Sequence, residues 1–269
     1  MRKRLAPDRH GSCCGLVEWL SLHTRLITQN GGGICEYAGP QTIGFWRGQA
    51  LSTLRNSAGN KDEIAVAARL EERQSSGGFP SPDAWSRAQP VCFDWDWQGK
   101  NANPKLKTEV RILWNQEALY LQFLAHYQAI TVFGDSRADG WRDQLWERDV
   151  AEVFLQPAGE QARRYKEIEV SPNGMWIDLE IAPGEKRELK SRLRRLVNVD
   201  ARKRMWIAQV ALPMKALTPK FDPSEAWRVN FFRVEGEREP RFYSAWRPTG
   251  TPIPNFHVPE RFGRLEFER

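Results

Sequence analysis

The stretch Leu145–Ile181 reads LWERDVAEVFLQPAGEQARRYKEIEVSPNGMWIDLEI and decides the fold. Polar and apolar residues alternate in three of its segments, and a period of two is typical of β-strands, whose successive side chains point to opposite faces. We therefore predict three successive strands. Their acids and aromatics are Glu152, Phe154, Tyr165, Glu167, Glu169, Trp176, Asp178 and Glu180. One face of the sheet is expected to collect these side chains, while the apolar side chains of the reverse face pack in the core.

The rest of the chain after residue 78 carries the same kind of signal. Seventeen prolines and 20 glycines separate short apolar runs, which favours strands and turns over a helical bundle. The runs are Thr108–Trp114 with Ala118–Leu124, Leu193–Val199 with Met205–Leu212, Trp227–Val234 with Phe242–Trp246, and Arg264–Phe267. The prediction is an all-β domain, an antiparallel β-sandwich of the immunoglobulin-like or jelly-roll type.

The first 78 residues depart from this pattern. They contain three consecutive glycines, scattered charges and little periodicity, apart from a short helix predicted over Asp62–Arg73. Residues 75–78, Ser-Ser-Gly-Gly, have the composition of a linker. We predict an N-terminal extension over residues 1–78, poorly ordered or partly helical, followed by one domain over residues 79–269.

Composition limits the classes of partner. The net charge of +6 does not by itself indicate nucleic acid, and no apolar run approaches the roughly 18 residues that span a bilayer. The basic start resembles a signal peptide, but Glu18 interrupts its apolar run, so the compartment is left unassigned. The cysteines fit neither a disulfide framework nor a zinc spacing. They stand at positions 13, 14, 35 and 92. We predict no nucleic-acid or membrane partner, and a monomer.

Four pieces of sequence, in a fixed order, carry a resemblance to a known family. They are Val110–Trp114 leading to Leu119–Tyr120, LWERDVAEVF from Leu145 to Phe154, the strand Trp206–Pro213, and NFHVPERFGRLEF from Asn255 to Phe267. Residues 79–269 resemble the family 9 carbohydrate-binding modules, first met as appendages of xylan-degrading enzymes. The resemblance implies a β-sandwich without hydrolytic activity, which recognises the ends of plant-type polysaccharides or oligosaccharides.

The resemblance also implies a clamp of two aromatic side chains around a terminal sugar. Trp146 and Phe256 stand at the positions of the two stacking residues, and Glu152 matches the family's sugar-binding glutamate. The neighbouring strand carries acids where the family has amide and arginine donors, which leaves the sugar unassigned. Further contacts are predicted from Glu167, Glu169, Trp176 and Asn255. Acidic residues that hold structural calcium in some members have no clear counterpart near His126 and Tyr127, so no cofactor is predicted.

Several of these residues have alternative interpretations. Trp146 would serve equally as a core residue, and a buried Glu152 as a structural hydrogen-bond hub. Glu167 and Glu169 stand two apart on one strand, with roughly 7 Å between their Cα atoms, which approaches the separation of glycosidase carboxylates. Neighbours on one strand do not easily flank a sugar from opposite sides. A glycoside-active enzyme therefore stays an alternative function rather than the favoured one.

Two further alternatives concern other parts of the chain. The basic run Lys186–Arg204 would suit a polyanion, but no aromatics interleave its charges, so a charged hairpin that protects a sheet edge is the favoured interpretation. A haem-binding redox sandwich requires an axial Met/His pair. The candidates offer no obvious match: Met175, Met205, Met214, His126 and His257.

Overall fold

The computed structural model describes residues 64–71 and 78–269, and almost all of its regular structure is β-strand. The strands are β1 (Ile64–Arg69), β2 (Val91–Phe93), β3 (Thr108–Trp114), β4 (Ala118–His126), β5 (Val150–Gln156), β6 (Tyr165–Val170), β7 (Trp176–Ala182), β8 (Glu185–Glu188), β9 (Arg194–Asp200), β10 (Met205–Pro213), β11 (Trp227–Glu235), β12 (Phe242–Ala245) and β13 (Gly263–Phe267). The helices are α1 (Pro82–Arg87) and α2 (Met214–Leu217), and 3₁₀ turns occupy Pro104–Leu106, Leu145–Glu147 and Pro259–Arg261. Each strand predicted from the sequence is present; β1, β2 and β8 were not predicted.

Two sheets share the strand β1. The first has the order β8-β7-β6-β5-β11-β13-β1, with β12 paired to β11. The second has the order β1-β3-β4-β10-β9, with β2 paired to β3. Among the described strands only β1 makes parallel pairs, with β13 and with β3. The predicted sandwich is confirmed, but the sheet is mixed and not strictly antiparallel.

Strand β1 lies where the sequence predicts a helix over Asp62–Arg73. Its segment IAVAAR is rich in alanine, the best helix former, yet Ala65 and Ala67 are fully buried in the sheet. Residues 64–67 pair with β13 and residues 68–69 with β3, so β1 satisfies backbone groups on the edges of both sheets. Tertiary pairing overrides helix propensity, and the helix prediction is wrong for residues 64–69.

The domain therefore contains residues that precede its predicted start at residue 79. All the described residues fall within one compact unit, 54–269. The remainder of the predicted extension, residues 1–63 and 72–77, lies outside the described residues, as do the three N-terminal cysteines.

The first sheet has two faces with different surroundings. On β11, Phe231 packs edge-on against Phe123 of β4 with ring centroids 6.4 Å apart, and Arg233 lies over Trp206 of β10 at 5.1 Å. These contacts define the inner face, which packs on the second sheet. Phe232 alternates with these residues and points the opposite way, to what we call the outer face.

The core between the sheets is aromatic. Three tryptophans lie there, Trp114, Trp206 and Trp227, and each is at most 2% exposed. Trp114 and Trp227 both pack edge-on against Phe221 and Phe267. The interior between the sheets thus uses the inner face of the first sheet.

Candidate functional site

Three glutamates of the predicted site lie side by side on the outer face. Glu152 of β5 is paired with Glu169 of β6 on one side and with Phe232 of β11 on the other. Paired residues of an antiparallel ladder share a face, and Glu167 lies two residues from Glu169 on the same face. The exposed fractions are 2% for Glu152, 3% for Glu167 and 0% for Glu169. We call these three residues the acidic cluster.

The surrounding protein leaves the acidic cluster short of partners. Oε1 of Glu152, Oε2 of Glu167 and both oxygens of Glu169 are buried without a hydrogen-bond partner. Burial, followed by the charge of Glu167, raises the pKa of Glu152 well above its usual range. Burial and then the charges of Glu152 and Glu167 do the same to the pKa of Glu169. Buried polar atoms normally have partners, so four unpartnered acceptors are unusual and mark the acidic cluster as a candidate ligand site.

The raised pKa values predict how stability depends on pH. A carboxyl whose pKa is higher in the folded than in the unfolded state stabilises the fold at low pH. That contribution is lost as the pH rises from the unfolded-state value, about 4.3, through the folded-state pKa. Glu152→Gln removes the buried charge and is expected to raise the free energy of unfolding by about 1–3 kcal/mol at pH 8 and by less at pH 5.

Urea unfolding of both proteins at pH 5 and pH 8 measures this difference. Glu266→Gln is the matched control, because Glu266 is partly exposed and paired with Arg264 at 2.6 Å on the strand β13. We expect it to change stability little at either pH. A Glu152→Gln effect that is as large at pH 5 as at pH 8 would contradict the assignment.

Trp146 lies in the 3₁₀ turn that precedes β5. The turn begins after Gln144, whose φ of 56° is in the left-handed region, and the indole is partly exposed. Its backbone oxygen accepts a 2.8 Å hydrogen bond from Nη1 of Arg241. The ammonium of Lys186 stands 4.7 Å from the centroid of the indole ring. Trp146 is therefore a half-buried residue that packs against the edge of the core and has a cation over its ring.

The loop that carries Trp146 is anchored by a buried acid that sequence reasoning missed. Asp149 is fully buried and accepts hydrogen bonds from the backbone N–H groups of Thr131, at 3.0 Å, and Gly236, at 2.8 Å. Burial, as the largest cause, raises the pKa of Asp149. These two bonds fix the end of the loop before β5, which holds the nearby indole in place.

The start of the same loop is held by a buried ion pair. Arg233 is fully buried, its Nη2 lies 2.8 Å from Oε2 of Glu235, and its Nη1 donates to the backbone oxygen of His126 at 3.2 Å. Glu235 also accepts from the backbone N–H of Gln128 at 2.9 Å. Arg233 and Glu235 stand two apart on β11, but their backbone partners, His126 and Gln128, are each 107 residues away in the chain, so no local sequence signal pointed to these contacts.

Phe256, the second predicted clamp residue, is placed against the outer face. It stacks on Phe232, with ring centroids 4.2 Å apart and planes at 15°, and Tyr243 packs edge-on against it at 6.1 Å. It is 8% exposed. Asn255 is exposed, and its Oδ1 accepts a hydrogen bond from the backbone N–H of His257 at 3.0 Å. Phe256 thus lies beside the residue that is paired with Glu152.

A pocket opens on the outer face next to Glu167. It has a volume of about 320 Å³ and is lined by Arg163, Tyr165, Ile181, Ala182, Pro183, His257 and Pro259. Nδ1 of His257 is 2.6 Å from the hydroxyl of Tyr165 and 3.9 Å from Oε2 of Glu167. Sequence reasoning named His257 only in passing and did not predict Tyr165 as part of the site.

Trp176 lies on the opposite face of the sheet from the acidic cluster. On β6 its partner is Val170, and the partner of Val170 on β5 is Ala151. Ala151 in turn pairs with Arg233, which lies on the inner face. The indole N–H of Trp176 donates to the backbone oxygen of Asp139 at 3.1 Å. The register of β6 and β7 sets the glutamates opposite aliphatic residues, so the expectation that one face collects all the acids and indoles is wrong for Trp176, Asp178 and Glu180.

Metal binding and membrane insertion are two further properties on which the described residues bear. In residues 64–71 and 78–269, no group of three or more His, Cys, Asp or Glu side chains is arranged to hold a metal ion. No helix in the same residues has the length and apolar character required to cross a membrane.

The fold and the site together define a class. A β-sandwich whose outer sheet face joins buried, unpartnered carboxyl groups to a partly exposed indole offers hydrogen-bond acceptors beside an apolar surface. The chain belongs to the carbohydrate family 9 binding domain-like family, whose model matches residues 81–269. The resemblance drawn from the sequence is confirmed.

Individual relatives are distant. A protein from Arthroderma benhamiae named "Extracellular protein" is 22% identical over 200 residues, which cover 66% of this chain and 88% of that one. A solved structure from Bacteroides uniformis, named for an inferred role in carbohydrate binding, aligns with a TM-score of 0.60 at 16% identity and covers 77% of this chain and 99% of that one.

Two further solved structures are family 9 modules from Caldicellulosiruptor kristjanssonii. The one in complex with cellotriose has a TM-score of 0.55 at 12% identity and covers 76% of this chain and 93% of its own. The one in complex with glucose has a TM-score of 0.53 at 12% identity and covers 76% and 95%. At these identities the likeness establishes the fold.

Proposed function

We propose that this protein binds carbohydrate without catalysing a reaction, and that the sugar lies on the outer face over the acidic cluster. The observation that carries the proposal is the set of four buried carboxylate oxygens without partners beside Trp146, in a domain of this family. Sugar hydroxyls are donors as well as acceptors, so they can satisfy carboxylates that the protein leaves unpaired.

Trp146 is proposed as the main stacking surface. Its indole is partly exposed, and the C–H patches of a sugar ring pack well on a flat aromatic face. Phe256 is proposed as the second aromatic residue of the clamp. Phe232 takes one face of its ring and Tyr243 packs against it edge-on, so only the 8% of Phe256 that is exposed is left for a sugar.

The first ligands to consider are cello- and xylo-oligosaccharides. Structural neighbours of the same family are in complex with cellotriose and glucose, which makes gluco-configured chain ends the natural starting point. Stacking and a few hydrogen bonds offset only part of the entropy lost on binding, so we expect dissociation constants between micromolar and millimolar.

The noncatalytic part of the proposal is supported by the placement of the carboxylates. Glu152, Glu167 and Glu169 lie on one face of two adjacent strands. Glycoside hydrolysis generally uses two carboxyl groups that flank the scissile bond, one as the acid and the other on the opposite side of the sugar. Carboxyl groups that all lie on the same side of a sugar can bind its hydroxyls, but they do not provide an acid and a second carboxylate on opposite sides of the scissile bond.

Calorimetric titration of the full chain with cello- and xylo-oligosaccharides tests the proposal. Trp146→Ala is expected to weaken binding roughly tenfold or more, about 1.4 kcal/mol, because the stacking surface is lost. End-reduced oligosaccharides are expected to bind more weakly than native ones if the clamp grips the terminal ring.

Trp95→Ala is the matched control for this experiment. Trp95 is also a partly buried tryptophan, but it lines a different pocket together with Cys92 and Pro248. Loss of binding in Trp95→Ala and its retention in Trp146→Ala would move the site to that pocket. Absence of heat with every sugar tested would refute carbohydrate binding by this chain.

A further inference from the structure

The acidic cluster holds three buried carboxyl groups, and no cation near them in the described part of the chain donates a hydrogen bond that would balance their charge when they ionise. Arg241 is the cation that opposes the rise of the Glu152 pKa, but its guanidinium makes its hydrogen bonds elsewhere. Its donors are bound to the Glu239 carboxylate, the Trp146 backbone oxygen and the Tyr243 hydroxyl. No hydrogen bond from this guanidinium reaches a carboxylate of the cluster.

His257 does not neutralise the cluster either. Its Nδ1 is shared with the hydroxyl of Tyr165 at 2.6 Å and stays 3.9 Å from Oε2 of Glu167, beyond hydrogen-bond distance. The imidazole is more than half exposed, with 55% of the side chain accessible. A water-screened partner at that distance leaves the buried oxygen of Glu167 unpaired.

Lys186 shows what kind of group the site attracts. It is paired with Ile181, which is in turn paired with Tyr165, so it stands on the outer face with the cluster. Its ammonium lies 4.7 Å from the Trp146 ring centroid and is the cation that acts on Glu169. Its side chain is 50% exposed, and its ion pair with Asp143 is a loose 3.8 Å. This ammonium is weakly held and therefore displaceable.

We propose that the site selects a cationic amino sugar, an oligosaccharide of 2-amino-2-deoxyhexose units whose ammonium takes the place of Lys186 between Trp146 and the acidic cluster. The proposal rests on the proposed function, because it names the ligand class of the same site. An ammonium brings three N–H donors and a positive charge, whereas a hydroxyl brings one donor and no charge. It also gains attraction from the indole face.

Nonspecific attraction of cations does not account for such a preference. The whole chain carries a net charge of +6, so its overall field repels a cationic ligand. Only a local concentration of unpaired carboxyl groups, which lose their protons when a cation binds beside them, reverses that sign. N-acetylation of the amine removes the charge while keeping the sugar ring, which separates the effect of charge from the effect of ring shape.

The test is calorimetric titration of the full chain at about pH 6, where amines of this kind are protonated. The ligands are the glucosamine disaccharide derived from chitosan, its N,N′-diacetyl form, and cellobiose. We expect the amine to bind at least tenfold more tightly than cellobiose and than the acetylated disaccharide. Spermidine serves as a cation without a sugar ring and is expected to bind more weakly than the glucosamine disaccharide.

Variants separate the contributions. Glu169→Gln keeps the shape of the side chain and is expected to reduce the preference for the amine to below threefold, while Glu266→Gln keeps it. Lys186→Met keeps the stem and removes the competing ammonium, so it is expected to bind the amine more tightly than the unmodified chain.

Each outcome decides the matter. Equal affinity for cellobiose and the glucosamine disaccharide, or tighter binding of the acetylated form, overturns the amino-sugar preference and leaves carbohydrate binding intact. Spermidine binding as tight as that of the disaccharide overturns it as a sugar-specific effect. Weaker binding of the amine by Lys186→Met overturns the displacement of Lys186. Failure of every sugar to bind overturns the proposed function as well.

Discussion

A chain shortened to begin at Phe79 is expected to lose most of its stability. The truncation removes β1, which pairs with β13 and β3 at six positions, and with it the buried side chains of Ala65, Ala67 and Leu70. At a net value near 1 kcal/mol per hydrogen bond, the loss is about 5 kcal/mol or more, comparable to the whole stability of a typical domain. Urea unfolding followed by tryptophan fluorescence, with soluble yield, measures it.

The control is a chain that begins at Ile64, which keeps β1 and lacks the residues before it. We expect this chain to unfold at a urea concentration close to that of the full chain. Equal stability of the two shortened chains would show that β1 contributes little. Binding experiments on this domain consequently require a chain that retains residues 64–71.

Arg233→Met is expected to destabilise the protein by about 3–5 kcal/mol. The substitution leaves Glu235 as a buried carboxylate without its guanidinium partner, and an unpaired buried charge is costly. It also removes the bond to the His126 backbone, which holds the start of the loop that carries Trp146. Chemical denaturation gives the free energy, and sugar titration of the folded fraction reports on Trp146.

Two further variants make the interpretation specific. Glu235→Gln added to Arg233→Met is expected to recover about half of the loss, because the second change removes the stranded charge. Arg228→Met, on the same strand but partly exposed and with hydrogen bonds of 3.4–3.5 Å, should cost less than about 1 kcal/mol. Similar costs for Arg228→Met and Arg233→Met would argue against a special role of the buried pair.

Local alternation was sufficient to predict most of the strands. Each of β5, β6 and β7 carries its own period-two pattern, and the shared face of Glu152 and Phe154, or of Glu167 and Glu169, follows from spacing within one strand. The acidic cluster was therefore accessible from the sequence. Its burial was not, because both faces of β5 and β6 are covered by distant segments of the chain.

Register between strands could not be read from the sequence. The pattern of β7 identified two faces correctly, but whether Trp176 shares a face with Glu169 or with Val170 depends on how β7 aligns with β6. A slip of one residue exchanges the faces, so the pairing of Val170 with Trp176 decided against the prediction. Trp146 lies in a turn, where alternation says nothing, and its place rested on the family resemblance.

Long-range contacts account for the remaining differences. The two sheets that β1 joins exist only in the folded chain, so its alanine-rich sequence alone pointed to a helix. Lys186 was interpreted as part of a charged edge, and its contact with Trp146 follows from the hairpin that brings β8 back beside β7. Neither contact leaves a local trace in the sequence.

The position of β1 also fixes the order in which the domain can be completed. Ile64 pairs with Arg264, two hundred residues later, and β13 is the last strand of the chain. During synthesis, β1 cannot pair with β13 until β13 has been made. Closing a loop of this length also slows folding. Until β13 emerges from the ribosome, the edges of β1 and β11 that pair with it stay open to wrong partners. The seam of this sandwich is closed last, by the two ends of the domain.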